Sequence, residues 1–133
     1  MPSASDIDPL VTAARDARQR AYAPYSSFLV GAAVRAADGR VFAGCNVENA
    51  SYGLSMCAER VAIFNAVAEG ARDIVDVVVV THADPPASPC GACRQVLAEF
   101  APRARVVLAN VGGGRVETTV DALLPGAFTL APK

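Results

Sequence analysis

The sequence has 133 residues, of which 53% are apolar and 19% charged, and its 12 basic side chains nearly balance 13 acidic ones. This length predicts a single domain, residues 1–133, with a hydrophobic core of its own. A net charge of −1 provides no clustered positive charge for a nucleic-acid backbone, and no apolar stretch approaches the roughly 18 to 20 residues that cross a membrane.

The first third of the chain predicts a helix followed by a β-hairpin. Ser5 and Asp8 form a helix-start pattern, and apolar residues then recur at helical spacing until Pro24 ends the pattern. Residues 28–36 and 40–46 favour two strands, joined by an Asp-Gly pair that is typical of a two-residue hairpin turn.

The rest of the chain alternates helices with apolar strands. Good helix formers occupy residues 57–69, and Gly70 follows in the position preferred for a C-terminal cap. A continuous β-branched run at 76–81 is typical of a strand covered on both faces. The remaining predicted elements are a helix at 90–100, strands at 105–110 and 115–120, and a short helix at 120–124. Together they predict a three-layer α/β/α fold with a mixed five-stranded sheet and one parallel crossover.

Four cysteines and a single histidine, His82, limit the kinds of metal site. The N-terminal segment lacks the basic and apolar regions of a secretion signal, so we expect a cytoplasmic protein, in which cysteines bind metals or react more often than they form disulfides. Cys57, Cys90 and Cys93 lie at predicted helix starts, where free N–H groups and the helix dipole favour thiolates. Three thiolates with one open position describe a catalytic zinc site. His82 follows a strand, where we expect a solvated or hydrogen-bonded side chain.

Glu59 lies two residues after Cys57, too close for a comfortable fourth ligand but within reach of a water at the open position. A carboxylate there is placed to take the proton of the water and deliver it to a leaving group. The sequence contains both halves of the known signature of zinc-dependent base deaminases, Cys-Ala-Glu at 57–59 and Pro-Cys-Gly-Ala-Cys at 89–93.

The chain also resembles a known family, the small homotetrameric cytidine deaminases. The resemblance rests on AYAPYSSFLVGAAV (21–34), GCNVENASYG (44–53), MCAERVAIFNAVAEG (56–70), SPCGACRQVL (88–97) and LLPGAF (123–128). It implies hydrolytic deamination of cytidine and deoxycytidine to uridine and deoxyuridine, in pyrimidine salvage, by a homotetramer with one zinc ion per subunit.

The resemblance implies roles for the residues around the zinc. Cys57, Cys90 and Cys93 would hold the ion. Glu59 would be the catalytic proton shuttle, taking a proton from the zinc-activated water that attacks C4 of cytosine and delivering it to N3 and then to the departing amine. Arg60 would donate hydrogen bonds to the thiolates and draw charge from sulfur.

Further expectations concern the nucleoside. Asn46 and Glu48 would hydrogen-bond the ribose hydroxyls, and Phe28 would pack against the nucleoside, as the resemblance implies. We also expect backbone groups near Ala58 and Ser88 to bind the ring O2 and the leaving amine.

A neighbouring subunit would complete each site, with Phe128 covering the pyrimidine ring and Ala50 and Tyr52 lying near the ribose. The composition agrees with such an assembly, because 27 alanines and a mean hydropathy of +0.31 are high for a small monomer.

Three other interpretations fit part of the sequence. Cys90 and Cys93 alone also resemble a thiol–disulfide redox motif. Cys45, which we expect to be a buried small hydrophobe, would act instead as the fourth ligand of a closed structural zinc site in a non-catalytic binding module. A deaminase of a cytosine nucleoside antibiotic, of the blasticidin S type, shares the zinc motifs, whereas Asn46 and Glu48 favour a ribose substrate.

Overall fold

A five-stranded sheet organises the computed structural model, which describes residues 6–132. The strands are β1 (Gly31–Ala36), β2 (Val41–Cys45), β3 (Ile74–Thr81), β4 (Arg105–Asn110) and β5 (Arg115–Thr119). They lie in the order β2-β1-β3-β4-β5, in which β3 and β4 run parallel and every other neighbouring pair runs antiparallel. The mixed sheet and its one parallel pair confirm the prediction.

Helices cover both faces of the sheet. They are α1 (Asp8–Arg18), α2 (Ala58–Ala68), α3 (Gly91–Phe100) and α4 (Val120–Leu123). Leu10 of α1 packs with Val78 and Val80 on one face, whereas Ile63 of α2 packs with Val77 on the other. Alternate residues of β3 thus belong to opposite clusters, which explains its continuous apolar sequence. The layers are α/β/α, as predicted. Within residues 6–132, none of the helices has the length and apolar character needed to cross a membrane.

Two glycines allow helices to lie directly against the sheet backbone. A Cβ added at Gly31 would stand 1.9 Å from the carbonyl oxygen of Ala14 in α1, and one at Gly44 would stand 2.6 Å from the nitrogen of Ala62 in α2. Nonbonded atoms do not approach this closely, so only glycine fits at either position. Gly44 therefore lets α2, whose N-terminus carries the Cys-Ala-Glu segment, pack closely against the hairpin.

The first helix is shorter than its sequence pattern predicts. It ends at Arg18 instead of continuing toward Pro24, because the backbone of Tyr22 pairs with residues 46–48: the Tyr22 N–H donates to the Asn46 carbonyl, and the Tyr22 carbonyl accepts from Glu48. The predicted cap residue Ser5 lies outside the described residues.

The hairpin also differs in detail from its prediction. The N–H of Gly39 donates to the carbonyl of Ala36, and Gly39 has φ +93°, so the loop contains three residues, 37–39, and the predicted two-residue turn is wrong. A turn followed by one left-handed glycine is the usual three-residue solution. Strand β1 begins at Gly31 instead of Phe28, because side-chain hydrogen bonds replace the strand ladder over residues 28–30, as described below.

Candidate active site

Three thiols meet where the N-termini of α2 and α3 converge. Cys57 is the N-cap residue of α2, Cys90 is the N-cap residue of α3, and Cys93 lies in the first turn of α3. The Sγ atom of Cys90 is 3.7 Å from that of Cys57 and 3.5 Å from that of Cys93, and all three atoms lie within 4.8 Å of one another. The two helix N-termini therefore bring together Cys57 and Cys90, which lie 33 residues apart in the sequence.

The sulfur separations fit a tetrahedral metal ion. Zn–S bonds of about 2.3 Å place sulfur atoms roughly 3.8 Å apart, close to the spacing found here. Cys45, half-buried at the end of β2, does not belong to this group within residues 6–132, so the closed site with four cysteine ligands does not form. Three sulfur donors leave one tetrahedral position free for water or substrate.

Arg60 lies beside the thiols. Its Nη2 donates to the Sγ of Cys57 over 3.5 Å, and its Nε is buried without a hydrogen-bond partner in the described part of the chain. Hydrogen bonding with Cys93, and then the Arg60 guanidinium, lowers the pKa of Cys57 to about 5. The same bond to Cys57, together with burial, raises the pKa of Cys93. The Arg60 guanidinium therefore favours the thiolate form of the sulfur that it contacts, Cys57.

Glu59 lies one residue inside α2 and is only 5% exposed. Burial, with a smaller contribution from the Cys57 thiolate, raises the pKa of Glu59 to about 7. A carboxyl group with that pKa takes up and releases a proton readily near neutral pH, as a general acid–base catalyst must.

A cavity of about 310 Å³ opens beside the thiols and Glu59, a volume within the range of small-molecule sites. Most of the predicted site residues line this cavity: Phe28, Asn46, Glu48, Cys57, Ala58, Glu59, Ser88 and Cys90. The structure thus brings together, on one concave surface, residues that lie up to 62 positions apart in the sequence.

The side chain of Asn46 is buried and braces the cavity wall. Its Oδ1 accepts from the N–H of Val30 over 2.9 Å, and its Nδ2 donates to the carbonyl of Phe28 over 2.8 Å. These bonds hold residues 28–30 beside β2 without a regular ladder. An asparagine amide has two N–H donors, so one donor remains for another partner.

Glu48 holds the loop that precedes Phe28. Its Oε1 accepts from the backbone N–H groups of Tyr25 (3.0 Å) and Ser26 (3.2 Å), and its Oε2 accepts from the Ser26 hydroxyl. The hydroxyl first, and then the backbone donors, lower the pKa of Glu48. Glu48 therefore presents an ionised acceptor to the cavity.

The three residues expected to act on a neighbouring subunit do not line this cavity. Ala50 is exposed, and Tyr52 and Phe128 are each 71% exposed. The Nε2 of Gln95 donates to the carbonyl of Phe128 over 3.1 Å and so fixes the backbone there, while the ring extends outward. His82 is exposed as predicted, and its ring meets that of Phe28 edge-on, with centroids 5.1 Å apart.

Sequence reasoning missed the contacts of Arg94. This side chain donates to the carbonyl of Pro89 (2.8 Å), the hydroxyl of Ser88 (2.8 Å) and the carbonyl of Leu123 (2.7 Å). It therefore joins the segment before Cys90 to the C-terminal segment. The only sequence signal was an arginine directly after a candidate ligand, which does not reveal distant carbonyl partners.

Comparisons with known proteins agree with this geometry. Residues 4–109 match the family described as "Cytidine and deoxycytidylate deaminase zinc-binding region". The cytidine deaminase of Halalkalibacterium halodurans is 54% identical over 125 residues, 93% of this chain and 95% of that protein. A crystal structure of cytidine deaminase from Burkholderia pseudomallei superposes with a TM-score of 0.88 at 52% identity, covering 91% of this chain and 98% of that one. A blasticidin-S deaminase of Bacillus cereus is 33% identical and covers 75% of this chain and 76% of that protein.

The contact of Arg60 with Cys57 gives a testable prediction. In Arg60→Ala the thiolates lose a donor and a neighbouring positive charge, and we expect zinc to bind about 10- to 100-fold more weakly. Competition with a chromophoric chelator measures this affinity. The matched control is Arg103→Ala, which changes an exposed arginine and should leave zinc affinity unchanged. Equal affinities in wild type and Arg60→Ala would contradict the role of Arg60.

Proposed function

The chain belongs to the cytidine and deoxycytidylate deaminase zinc-binding family, and we propose that it hydrolyses cytidine and deoxycytidine to uridine and deoxyuridine with release of ammonia. One observation carries the proposal. The buried carboxyl group of Glu59, whose pKa is raised to about 7, lines one cavity of about 310 Å³ together with the thiols of Cys57 and Cys90. The third thiol of the cluster, Cys93, is buried directly behind them, 3.5 Å from Cys90. That combination is suited to hydrolysis assisted by a metal and a proton carrier.

Cys57, Cys90 and Cys93 would hold one zinc ion per subunit. When bound, zinc supplies the Lewis acidity that makes water nucleophilic near neutral pH. The chain itself supports the thiolates, through the N-termini of two helices and the guanidinium of Arg60.

Glu59 carries the protons of the reaction. Near pH 7 it accepts a proton from the attacking water and passes it to N3 of cytosine, which makes C4 more electrophilic. A second proton follows the same route from the added hydroxyl to the amine, which leaves as ammonia. One water is consumed, the C4–N bond breaks, and Glu59 returns to its initial protonation state.

Three groups would orient the nucleoside. The ionised Glu48 accepts a hydrogen bond from a ribose hydroxyl, the remaining N–H of Asn46 donates to the sugar, and the ring of Phe28 packs against the nucleoside. Backbone groups near Ala58 and Ser88 would bind the ring O2 and the leaving amine. Within residues 6–132 no lysine or arginine lines the cavity, which favours an uncharged nucleoside over a nucleotide.

We further propose a cytoplasmic homotetramer with shared active sites that acts in pyrimidine salvage. The assembly is supported by large apolar side chains that a single chain leaves in solvent, Tyr52 and Phe128 at 71% exposure and Leu130 at 81%. Such exposure is typical of surfaces that another subunit covers. Phe128, Ala50 and Tyr52 would then complete the site of a neighbour.

The alternative functions fit the structure less well. A redox pair requires only Cys90 and Cys93, and gives no reason for a third thiol 3.7 Å from Cys90. For an antibiotic deaminase, the blasticidin-S deaminase of B. cereus is 33% identical to this chain, so similarity over the shared region does not by itself identify cytidine as the substrate. The positions of Asn46 and Glu48 on the cavity wall support a substrate with a ribose.

Steady-state kinetics on four substrates test this specificity. Cytidine and deoxycytidine should have kcat/KM values at least about 100-fold above those of cytidine monophosphate and blasticidin S. The monophosphate adds a charged group for which the cavity lining within residues 6–132 holds no lysine or arginine, and blasticidin S lacks the ribose that Asn46 and Glu48 would bind. A preference for blasticidin S would identify an antibiotic deaminase. Turnover of none of the four, with reductase activity toward disulfides, would establish the redox alternative.

Glu59→Gln separates the proton carrier from the zinc site. The amide keeps the size of the side chain but cannot carry a proton, so kcat should fall by about 10²- to 10⁴-fold while zinc content stays at one ion per chain. Elemental analysis and kinetics on the same preparation measure both quantities. Glu99→Gln, at an exposed position on α3, is the matched control and should keep full activity. A zinc-loaded, fully active Glu59→Gln enzyme would refute the assigned role.

Mixing two inactive variants tests the shared site. Phe128→Ala and Glu59→Gln chains, each of low activity alone, should regain activity when dissociated and reassembled together, since up to about a quarter of the sites would then combine an intact Glu59 with an intact neighbouring Phe128. Kinetics before and after mixing measure the recovery, and sedimentation gives the size of the assembly. No recovery in a mixed tetramer would place Phe128 outside the neighbouring site.

A further inference from the structure

The hydroxyl of Ser26 joins two walls of the cavity. It donates to Oε2 of Glu48 and accepts from the backbone N–H of Phe28 over 3.0 Å. The nitrogen of Ser26 itself donates to Oε1 of the same carboxylate. A single small side chain therefore connects the acidic wall of the cavity to its aromatic wall.

The backbone around Ser26 requires this support. Ser27, the next residue, has φ +59°, in the left-handed region that residues other than glycine rarely adopt. Such a conformation persists only where surrounding contacts determine it. Those contacts are the hydrogen bonds of residues 25–28 to Glu48 and to the Ser26 hydroxyl, because Ser27 itself contributes only its N–H, which donates to Ala23.

Hydrogen bonds from these residues also determine the position of Phe28. Ser26 fixes its N–H, Asn46 fixes its carbonyl, and the ring of His82 meets its edge. Its ring therefore has a defined position in the cavity without any substrate. If the Ser26 hydroxyl were lost, the N–H of Phe28 would lose its partner and the segment could relax away from Glu48.

Ser26 also limits which lone pairs Glu48 can offer. Oε1 already accepts two backbone N–H bonds, whereas Oε2 accepts only the Ser26 hydroxyl. A carboxylate oxygen has two lone pairs, so Oε2 keeps one for a further donor. The direction of that lone pair is set by the bond from Ser26.

We propose that Ser26 is a positioning residue that aims Glu48 at a sugar hydroxyl and holds Phe28 against the nucleoside, and so makes the enzyme selective for nucleosides that carry ribose hydroxyls. The proposal deepens the proposed function and rests on it. It concerns the same cavity but assigns the discrimination between sugars to a residue that acts through Glu48 and Phe28.

The test compares cytidine with 2′,3′-dideoxycytidine, which lacks the 2′- and 3′-hydroxyls and keeps only the 5′-hydroxyl. In Ser26→Ala, kcat/KM for cytidine should fall about 10- to 100-fold, mainly through KM, as expected when a hydrogen bond to a charged group is lost. The loss for dideoxycytidine should be about tenfold smaller, because that substrate offers Glu48 neither a 2′- nor a 3′-hydroxyl. Equal losses on the two substrates, or no loss, would overturn the proposal, since a merely structural role affects both alike.

Three further variants isolate the effect. Ser26→Thr keeps the hydroxyl and should restore most of the preference for cytidine. Ser27→Gly, the neighbouring control, suits the left-handed backbone and should keep the wild-type preference. Ser26→Ala combined with Glu48→Gln should lower kcat/KM for cytidine beyond Glu48→Gln alone only by the smaller loss seen with dideoxycytidine, because the part of the Ser26 effect that acts through Glu48 is already gone; full additivity of the two single losses would contradict that path.

Hydrogen exchange provides a readout independent of turnover. In Ser26→Ala the N–H groups of Tyr25 and Phe28 should exchange faster than in wild type, while those of β3 keep their protection; unchanged exchange would contradict the proposal. If Ser26→Ala does not fold, both measurements are made on Ser26→Cys, whose thiol is a weaker hydrogen-bond donor than the hydroxyl. A wild-type enzyme that turns over neither nucleoside would refute the proposed function instead, so the two failures are distinguishable.

Discussion

The meeting of two helix N-termini is the constraint on which the site depends. Cys57 caps α2 and Cys90 caps α3, so the positive ends of both helix dipoles point at the same group of sulfur atoms. Three thiolates so close together would repel one another strongly in the absence of compensating charge. Two helix ends and the Arg60 guanidinium supply that compensation, and the close contact of α2 with Gly44 keeps one of those ends in place.

The cavity wall that contains Asn46 and Glu48 is organised by a different principle. Asn46 and Glu48 spend most of their hydrogen-bonding capacity on the backbone of residues 25–30, and only a remaining N–H and a remaining lone pair face the cavity. Groups held in this way lose little conformational entropy when a ligand binds. The same hydrogen bonds replace the regular strand before Gly31. They therefore explain both the irregular backbone of this segment and the fixed positions of the groups that face the cavity.

Much of the fold and of the chemical centre was predictable because both depend on local patterns. The burial of β3 on both faces and the glycine after α2 follow from residue types, and the Cys-Ala-Glu and Pro-Cys-Gly-Ala-Cys segments carry their chemistry at fixed spacing. The roles of Ser26 and Arg94 were not predictable, because each depends on partners 22 to 29 residues away. The predicted end of α1 was wrong for the same reason, because the pairing of Tyr22 with residues 46–48 overrides the helical pattern of the sequence.

Protection from water differs between the two sides of the cavity. Glu59 is almost fully buried, as a carboxyl with a pKa near 7 requires, yet Cys90 is exposed and the cavity beside it is open. Excluding bulk water around the reacting atoms strengthens the electrostatic interactions that the site makes with them. The helices of the chain exclude water on the side of the cavity where Glu59 is buried. The large exposed aromatic side chains Tyr52 and Phe128 do not line this cavity and so do not cover its other side. In the homotetramer proposed above, a second copy that brings those rings over the open side would supply this protection, and assembly would then contribute to catalysis.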